Sequence, residues 1–525
     1  MSSRFFSNLT EYLKFLRFNR SLCATWVLNV LIFTLIIFHL CTLSRLPAPY
    51  IDEAWFIARA RGFAEHGYPF GMLDTGVFDR LPSYQYFFPY FPTALQAIPF
   101  IFSDEINLFA TRLISLLCGF ATVFCVYRIG SWVSGALVGK LSAVLLLASS
   151  FFIFSSHVAR IDIEAAAVGI TGFTIILTSV RKNWWLLILG GFLSALSVEF
   201  HAHAAVITAT ALAAAISVGV TIRERALYFF LVSTGCGLAG LVYALLHIFP
   251  DPSAFLALQK IAFAPSHTPP LLTFDPLIIL TGIYQSIFHS LVVQYQIAPW
   301  LCLVIFLCGI PLVNGRTRTI GVLAAVALIS SGLLIRHKFF YYNIYYFPFT
   351  LIFIASLTIY LLKEVDIWCI QSQILGRIVQ ICCALICLCI IINFKDELSA
   401  AFNSPHAHKT LPQLAPFIHP DDRVLGRQTY WLAVPNNKYY SPEHLIYYTR
   451  WKSGSSVSDA LRDLRPTLII ADDALREFAK VREGKCSYIC FLDDGLERLI
   501  ASSELIGQTP GADGIIRIYR TRFEP

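Results

Sequence analysis

Apolar runs of membrane-spanning length recur along most of this chain. Such runs stand at 22–43, 107–127, 136–156, 161–180, 184–202, 204–221 and 226–248, and again at 298–314, 319–335, 342–362 and 377–394. About 20 apolar residues in helical form cross the hydrocarbon core of a bilayer, and a repeated pattern of them leaves a chain few options besides a helical membrane bundle. Composition agrees. The 525 residues are 56% hydrophobic and 14% charged, with a mean hydropathy of +0.64, against about 25% charged residues in soluble domains. The 43 Phe and 23 Tyr suit lipid contact and interfacial belts.

The net charge of +7 would suggest nucleic acid in a soluble protein. Here Lys and Arg fall largely in short loops between apolar runs, where they set topology, so no nucleic-acid partner is expected. Most of the 14 Cys, such as Cys382, Cys383, Cys387 and Cys389, lie inside apolar runs and read as small hydrophobes. Cys486 and Cys490 lie in the polar tail, where a disulfide and plain packing both fit. The first run follows Arg4, Lys14, Arg17 and Arg20 and is too long for a signal-peptide core, which predicts an uncleaved anchor with residues 1–21 in the cytoplasm.

A twelfth segment, 276–296, carries Gln285, His289, Gln294 and Gln296 and is ambiguous. If it lies along the surface, Arg128, Arg181, Lys182, Arg223, Arg225, Arg316, Arg318, Lys363 and Arg377 all face the cytoplasm. That arrangement obeys the positive-inside rule throughout. It gives about eleven spans in a mainly α membrane module over 22–394, with the C-terminus outside. Segments 44–106 and 249–297 become outer loops, and 395–525 an extracytoplasmic α/β domain. In the tail, "RVLG", "PTLIIAD", "SYICFL" and "IIRIYRT" read as strands, and "VSDALRDL" has helical spacing. In the first outer loop, Asp52 to His66 reads as an interfacial helix, and "SYQYFFPYFPTALQAIPFIF" as an aromatic, Pro-broken surface segment.

Under this topology the polar residues gather on one side. Asp52 and Glu53 follow the first run; Arg160, Asp162 and Glu164 occupy a tight outer turn. Glu199, His201 and His203 fall at the next outer turn, and Arg336, His337 and Lys338 precede "FFYYNIYYFPF". Each has a plain structural reading: a local ion pair for Arg160 and Asp162, interfacial histidines, a headgroup anchor for the basic trio, a helix cap for Asp52 and Glu53. Their shared side is what suggests a site.

The stretches "IDEAWFIARARGFAEHGYPF", "PYFPTALQAIPFIF", "LFATRLISLLCGF", "ARIDIEAAAVGITGF" and "RHKFFYYNIYYFPF" resemble, in this order, the GT-C class of membrane glycosyltransferases. Within that class it resembles especially the protein O-mannosyltransferases and bacterial aminoarabinose or lipid-A-core sugar transferases. The resemblance covers roughly residues 10–395. One departure is "EFHAHA" at the outer end of the fifth run, where relatives often carry Lys-Gly.

The resemblance implies inverting sugar transfer from a polyprenyl-phosphate donor to a lipid, glycan or protein acceptor, at the outer face of a bacterial inner membrane. It makes Asp52 the general base, with Glu53 and Asp162 beside it in the catalytic set. Arg160, Arg336 and Lys338 are implied to hold the donor phosphate. Arg59, His66, Tyr84, Tyr86, Arg112, His201, His203, Tyr341, Tyr342 and Tyr345 are expected to line the substrate pocket. No cofactor is fixed by the sequence. Glu53, Glu199, His201 and His203 supply ligand types for a divalent metal, but their spacing alone shows no site. The rival class is a transporter or flippase of lipid-linked sugars, which would also carry polar residues among apolar helices.

Overall fold

The computed structural model describes residues 23–78, 84–179, 183–262, 299–335, 339–364, 370–403, 410–452, 454–479, 493–511 and 514–522. The segment 276–296, Arg336 to Lys338, and Cys486 and Cys490 lie outside the described residues.

Among the described residues, helices occupy each of the eleven apolar runs proposed as spans. They are α1 (Cys23–Thr42), α5 (Leu108–Ser134), α6 (Ala136–Leu147) with α7 (Ser150–His157), α8 (Ile161–Ser179), α9 (Trp184–Phe200), α10 (Ala205–Val218) and α11 (Ile222–Tyr243). After them come α13 (Pro299–Leu312), α14 (Gly315–Leu334), α15 (Phe347–Glu364) and α16 (Ile370–Asn403). Between α1 and α5 lie α2 (Ile51–His66), α3 (Tyr90–Gln96) and α4 (Ile98–Phe102), and α12 is Pro252–Ala262. Among the described residues, six helices are long and apolar enough to cross a membrane, and α9, α10 and α15 are shorter apolar ones. Trp26, Phe33, Phe124, Phe230 and Ile391 stay exposed on these helices, as lipid-facing side chains do, while Phe151, Phe152, Phe173, Phe349 and Phe353 fill the core.

One expectation needs correcting. The run 136–156 is not a continuous span but two helices, bent by 68° at the break between α6 and α7. Ser149 is extended (ψ 136°), and its hydroxyl donates to the Leu146 carbonyl at 2.7 Å, closing the α6 end. Serine pairs kink helices through such local competition for backbone groups. The bend carries the chain sharply into Arg160. Elsewhere the bundle closes through glycine: a Cβ on Gly235 would lie 2.0 Å from the Ile188 carbonyl, so α11 and α9 meet backbone to backbone.

Among the described residues, the C-terminal part forms a five-stranded mixed sheet in the order β2-β1-β3-β5-β4; the expected strand "SYICFL" lies outside them. The strands are β1 (Arg423–Gly426), β2 (Lys438–Tyr440), β3 (Leu468–Ala471), β4 (Glu504–Gly511) and β5 (Gly514–Arg520). The first three are parallel, and β5 runs antiparallel to both β3 and β4. Short helices α17 (Gln428–Trp431), α18 (Pro442–Trp451), α19 (Val457–Leu464), α20 (Asp473–Ala479) and α21 (Gly495–Ser502) connect them. "RVLG", "PTLIIAD" and "IIRIYRT" fall on β1, β3 and β5, whereas β2 and β4 carry no comparable apolar pattern.

Strand alternation sorts the sheet's side chains into two cores. Leu425, Ile469 and Ala471 pack under α18, α19 and α21 through Leu445, Leu461 and Ile500. Val424, Leu468, Ile470, Ile516 and Ile518 point the other way and share a core with Ala54, Ile57 and Ala58 of α2. The period of two in a strand thus uses one sheet face to hold the module together and the other to seat it on the first loop of the membrane part.

Candidate functional site

Helix α2 starts with two acidic residues and sends them in different directions, because successive residues in a helix differ by about 100° in azimuth. Glu53 turns inward and is fully buried. Its two oxygens accept from Arg112 Nε and Nη2, each at 2.7 Å. They also accept the Ala159 and Tyr50 backbone N–H groups at 3.0 and 3.3 Å. Arg112, likewise fully buried, uses Nη1 on the carbonyls of Leu43 and Pro47, both at 3.0 Å. This bidentate pair ties α5 to α2, to the end of α1 and to the turn before α8. Every strong hydrogen-bonding direction on Glu53 is taken. Glu53, expected in the catalytic set, and Arg112, expected in the pocket, are thus buried against each other with their hydrogen bonds spent within the protein.

Asp52 turns the other way, and its side chain is 39% exposed. Arg160 Nη1 donates to Asp52 Oδ2, while Arg160 Nε donates to Asp162 Oδ2 at 2.7 Å. One buried guanidinium therefore bridges a carboxylate at the head of α2 and another in the first turn of α8. The Arg160 Cζ lies 4.1 Å from the Tyr341 ring centroid, a cation–π contact in a desolvated place. The other oxygen of Asp162 accepts from Tyr345 Oη at 3.2 Å and lies 3.7 Å from His201 Nε2. His201 stacks on Tyr345 and neighbours His203 and Tyr342, with ring centroids 5.8, 4.8 and 5.2 Å away. So Asp52, Arg160, Asp162, His201, His203, Tyr341, Tyr342 and Tyr345 meet in one cluster, drawn from four separate chain segments.

The remaining expected residues that the structure describes sit apart from it. Arg59 is bidentate to buried Asp74 (Nη2–Oδ1 2.8 Å, Nε–Oδ2 3.0 Å) and lies 3.6 Å from the Phe88 ring centroid, so it folds the loop after α2 rather than facing the cluster. His66 is at the solvent end of α2, stacked on Tyr68 at 5.9 Å. Tyr86 exposes its ring and offers its carbonyl to His247 Nδ1 at 2.5 Å. The Tyr84 side chain, like Arg336 and Lys338, lies outside the described residues. Glu199 accepts from the Tyr90 and Phe91 backbone N–H groups and lies 3.3 Å from His247 Nε2. It caps α3, so the four residues named for a metal do not converge. Among the described residues no group of three His, Cys, Asp or Glu side chains is placed to hold a metal ion.

Several buried polar groups have partners that the sequence did not indicate, Glu164 of the outer turn among them. Glu164 accepts from Gln96 Nε2 at 2.9 Å and Ser115 Oγ at 3.4 Å, joining α8 to α3 and α5. His39 and His157 face each other at 2.8 Å, with outer nitrogens 3.0 and 2.9 Å from the Leu147 and Leu46 carbonyls. Asp74 and His247 complete the set. All four contacts join residues from distant parts of the chain or from an irregular loop, where no periodic pattern operates; only the clustering of His157 with Arg160 and Asp162 in one short stretch hinted at them.

The C-terminal module closes over this region. His444 Nδ1 accepts the Ser441 backbone N–H at 2.9 Å, which leaves Nε2–H to donate to the Thr75 carbonyl at 2.7 Å. Arg61 Nη2 donates to Asn436 at 3.0 Å, and Phe78 meets Tyr447 with ring centroids 5.5 Å apart. Trp431, fully buried, sits in the core shared with α2.

A scan against protein-family models and a search of curated proteins return no match. Among solved structures, the chain is similar to ArnT from Cupriavidus metallidurans in the apo state, with a TM-score of 0.52 and 11% identity, covering 95% of this chain and 98% of that one. It is similar at a TM-score of 0.55, with the same identity and coverage, to ArnT from the same organism bound to undecaprenyl phosphate. The archaeal oligosaccharyltransferase AglB from Archaeoglobus fulgidus also aligns, at a TM-score of 0.43 and 11% identity over 94% of this chain and 74% of that one. The GT-C resemblance drawn from the motifs is thus met by a GT-C fold over nearly the whole chain. With its long apolar helices, the protein is an integral, multi-pass membrane protein.

Proposed function

We propose that this protein is an inverting glycosyltransferase that moves a sugar from a polyprenyl-phosphate donor to an acceptor at the outer face of a bacterial inner membrane. The observation that carries this reading is the Asp52–Arg160–Asp162 bridge, buried at Arg160 and open at Asp52, within the fold of an enzyme whose solved complex holds undecaprenyl phosphate.

In the proposed reaction an acceptor hydroxyl attacks the anomeric carbon from the face opposite the phosphate. The carbon–oxygen bond to phosphate breaks, and polyprenyl phosphate leaves with the bonding electrons. The hydroxyl proton passes to Asp52, the one carboxylate of the cluster that is both solvent-accessible and held in position. Arg160 fixes Asp52 through one arm, and Asp162 fixes Arg160, with Tyr345 and His201 setting the orientation of Asp162. Developing negative charge on the phosphate calls for cations, and Arg160, Arg336 and Lys338 are assigned to it. The aromatic wall of Tyr341, Tyr342 and Tyr345 offers rings with an apolar face and a polar tip, which suits a sugar.

The site is assembled from helix ends: the head of α2, the turn before α8 and the residue after α9. A transporter places its site near the midplane, at the interface of repeats, so this geometry favours transfer at one membrane face. About eleven spans with the C-terminus outside remain the proposed topology; a reporter active only outside the cytoplasm should give signal when fused after Pro525 and none after Arg225. For the activity, lipid extracts of a deletion strain should accumulate a polyprenyl-phosphate sugar, with a matching sugar missing from a cell-envelope acceptor. Unchanged lipid and glycan profiles would overturn the assignment.

A further inference from the structure

Two histidines that the proposed reaction does not use are tied to the segment leading into α2. His39 in the last turn of α1 and His157 at the end of α7 are both fully buried. His39 Nδ1 lies 2.8 Å from His157 Nε2, His39 Nε2 lies 3.0 Å from the Leu147 carbonyl oxygen, and His157 Nδ1 lies 2.9 Å from that of Leu46. Each of these contacts joins two atoms that carry lone pairs, so each needs a proton to be attractive. A carbonyl oxygen only accepts, which places one proton on each outer nitrogen. Two neutral imidazoles are then used up, and their inner nitrogens face each other bare. Moving one proton to the inner contact merely transfers the repulsion to a carbonyl. Turning either ring over would put carbons at both of its contacts. Three protons satisfy the three contacts, and two do not.

Three protons on two rings give an imidazole–imidazolium pair with one positive charge. Burial works against that charge, as does the Arg112 guanidinium of α5, which acts on His157. Arg112 is itself paired with Glu53. Around the pair α5 also brings Phe120, α6 Leu147 and α7 Phe152, while α16 brings Phe394 against Phe38 beside His39. In favour of the charge stand a charge-assisted N–H···N bond, roughly twice as strong as a neutral one, and two carbonyl oxygens on the outer N–H groups.

The pair has a mechanical position. Leu46 lies in the connection between α1 and α2, where Arg112 holds the Leu43 and Pro47 carbonyls and Glu53 accepts the Tyr50 N–H. His157 holds the carbonyl between the first two, and His39 ties α1 to the end of α6. The residues that follow this connection are Ile51 and Asp52. We infer that His39 and His157 share a third proton, and that the protonated pair is a latch fixing the α1–α2 connection and thereby positioning Asp52. The proton count stands apart from the glycosyl-transfer reading; the effect through Asp52 rests on it.

The first test labels the histidines of the full-length protein with nitrogen-15 in nanodiscs at about pH 8 and identifies the pair by the signals missing from His39→Asn. Both outer nitrogens should be protonated, with one proton coupled to both inner ones. Two bare nitrogens among the four would overturn the inference. The second test follows equilibrium unfolding in mixed micelles against pH. Free imidazoles, with an ordinary value near 6.5, are neutral in the unfolded chain above about pH 7.5. A folded state that keeps the third proton there binds one more than the unfolded state, so its folding equilibrium should fall about tenfold per pH unit. In His39→Asn an amide N–H takes the place of the shared proton, and that slope should disappear. Equal slopes in the two proteins would overturn the latch. In liposomes with a polyprenyl-phosphate sugar donor, wild-type kcat should fall relative to that of His39→Asn over the same interval. A flat ratio would overturn the link to Asp52. Wild type that neither transfers nor consumes donor would overturn the reading of the reaction and leave the proton count standing.

Discussion

Two ion-pair centres lie on either side of the first turn of α2, one residue apart in the chain and opposite in character. On the inner side, Glu53 and Arg112 are both fully buried and saturate each other and four backbone groups. On the outer side, Arg160 is buried but Asp52 is not, and the guanidinium is divided between two carboxylates. The difference teaches what separates a clamp from a site. A fully satisfied buried pair has no capacity left for a substrate, whereas a bridge with one open end holds a carboxylate in place and leaves it accessible. Removing one partner of the first kind leaves an uncompensated charge in the interior; altering the second kind changes chemistry first.

The comparison can be broken by substitution. Arg112→Met should cost about 3–5 kcal/mol of stability, as the loss of one partner from a buried pair does, read as a large drop in the melting temperature of detergent-solubilised protein. A variant that melted like wild type would mean that the inner centre is not a clamp. Asp162→Asn should have an intermediate effect, of about 1.5–3 kcal/mol in the free energy of transfer, because Arg160 loses a charged anchor while Tyr345 keeps a partner. Its signature should be a lower kcat, with less change in melting temperature than Arg112→Met. Glu65→Gln on the outward face of α2 breaks the exposed contacts with Arg61 and His66 and should change stability by less than about 1 kcal/mol. An effect as large as that of Arg112→Met would erase the distinction between sealed and exposed pairs on this helix.

The sequence made part of this legible. Apolar runs located the helices because the bilayer requires long uninterrupted ones, and polar residues at the ends of those runs pointed to Asp52, Arg160, Asp162 and His201. It singled out Asp52 as base only through the family resemblance and left Glu53 beside it in the catalytic set. Two adjacent carboxylates look alike in a string, and only the rotation of α2 against α5 assigns one to Arg112 and the other to Arg160. Arg59 and Arg112 looked like pocket residues for the same reason: their partners, Asp74 and Glu53, are set by tertiary packing. The break between α6 and α7 was hidden in an apolar run, marked at the break itself by nothing more than Ser149 and Ser150.

The central claim is that Asp52 acts and Glu53 holds. Its most direct test is a paired measurement on Asp52→Asn and Glu53→Gln, each assayed for thermal stability in detergent and for sugar transfer from a polyprenyl-phosphate donor. Asp52→Asn should melt close to wild type and lose at least about 10²-fold in turnover, the lower bound for general-base catalysis, with donor affinity retained. Glu53→Gln should lose stability strongly, and whatever fraction stays folded should transfer sugar at a rate nearer to wild type than Asp52→Asn does. Near-normal turnover in Asp52→Asn, or a folded Glu53→Gln enzyme with the larger catalytic defect, would contradict the account.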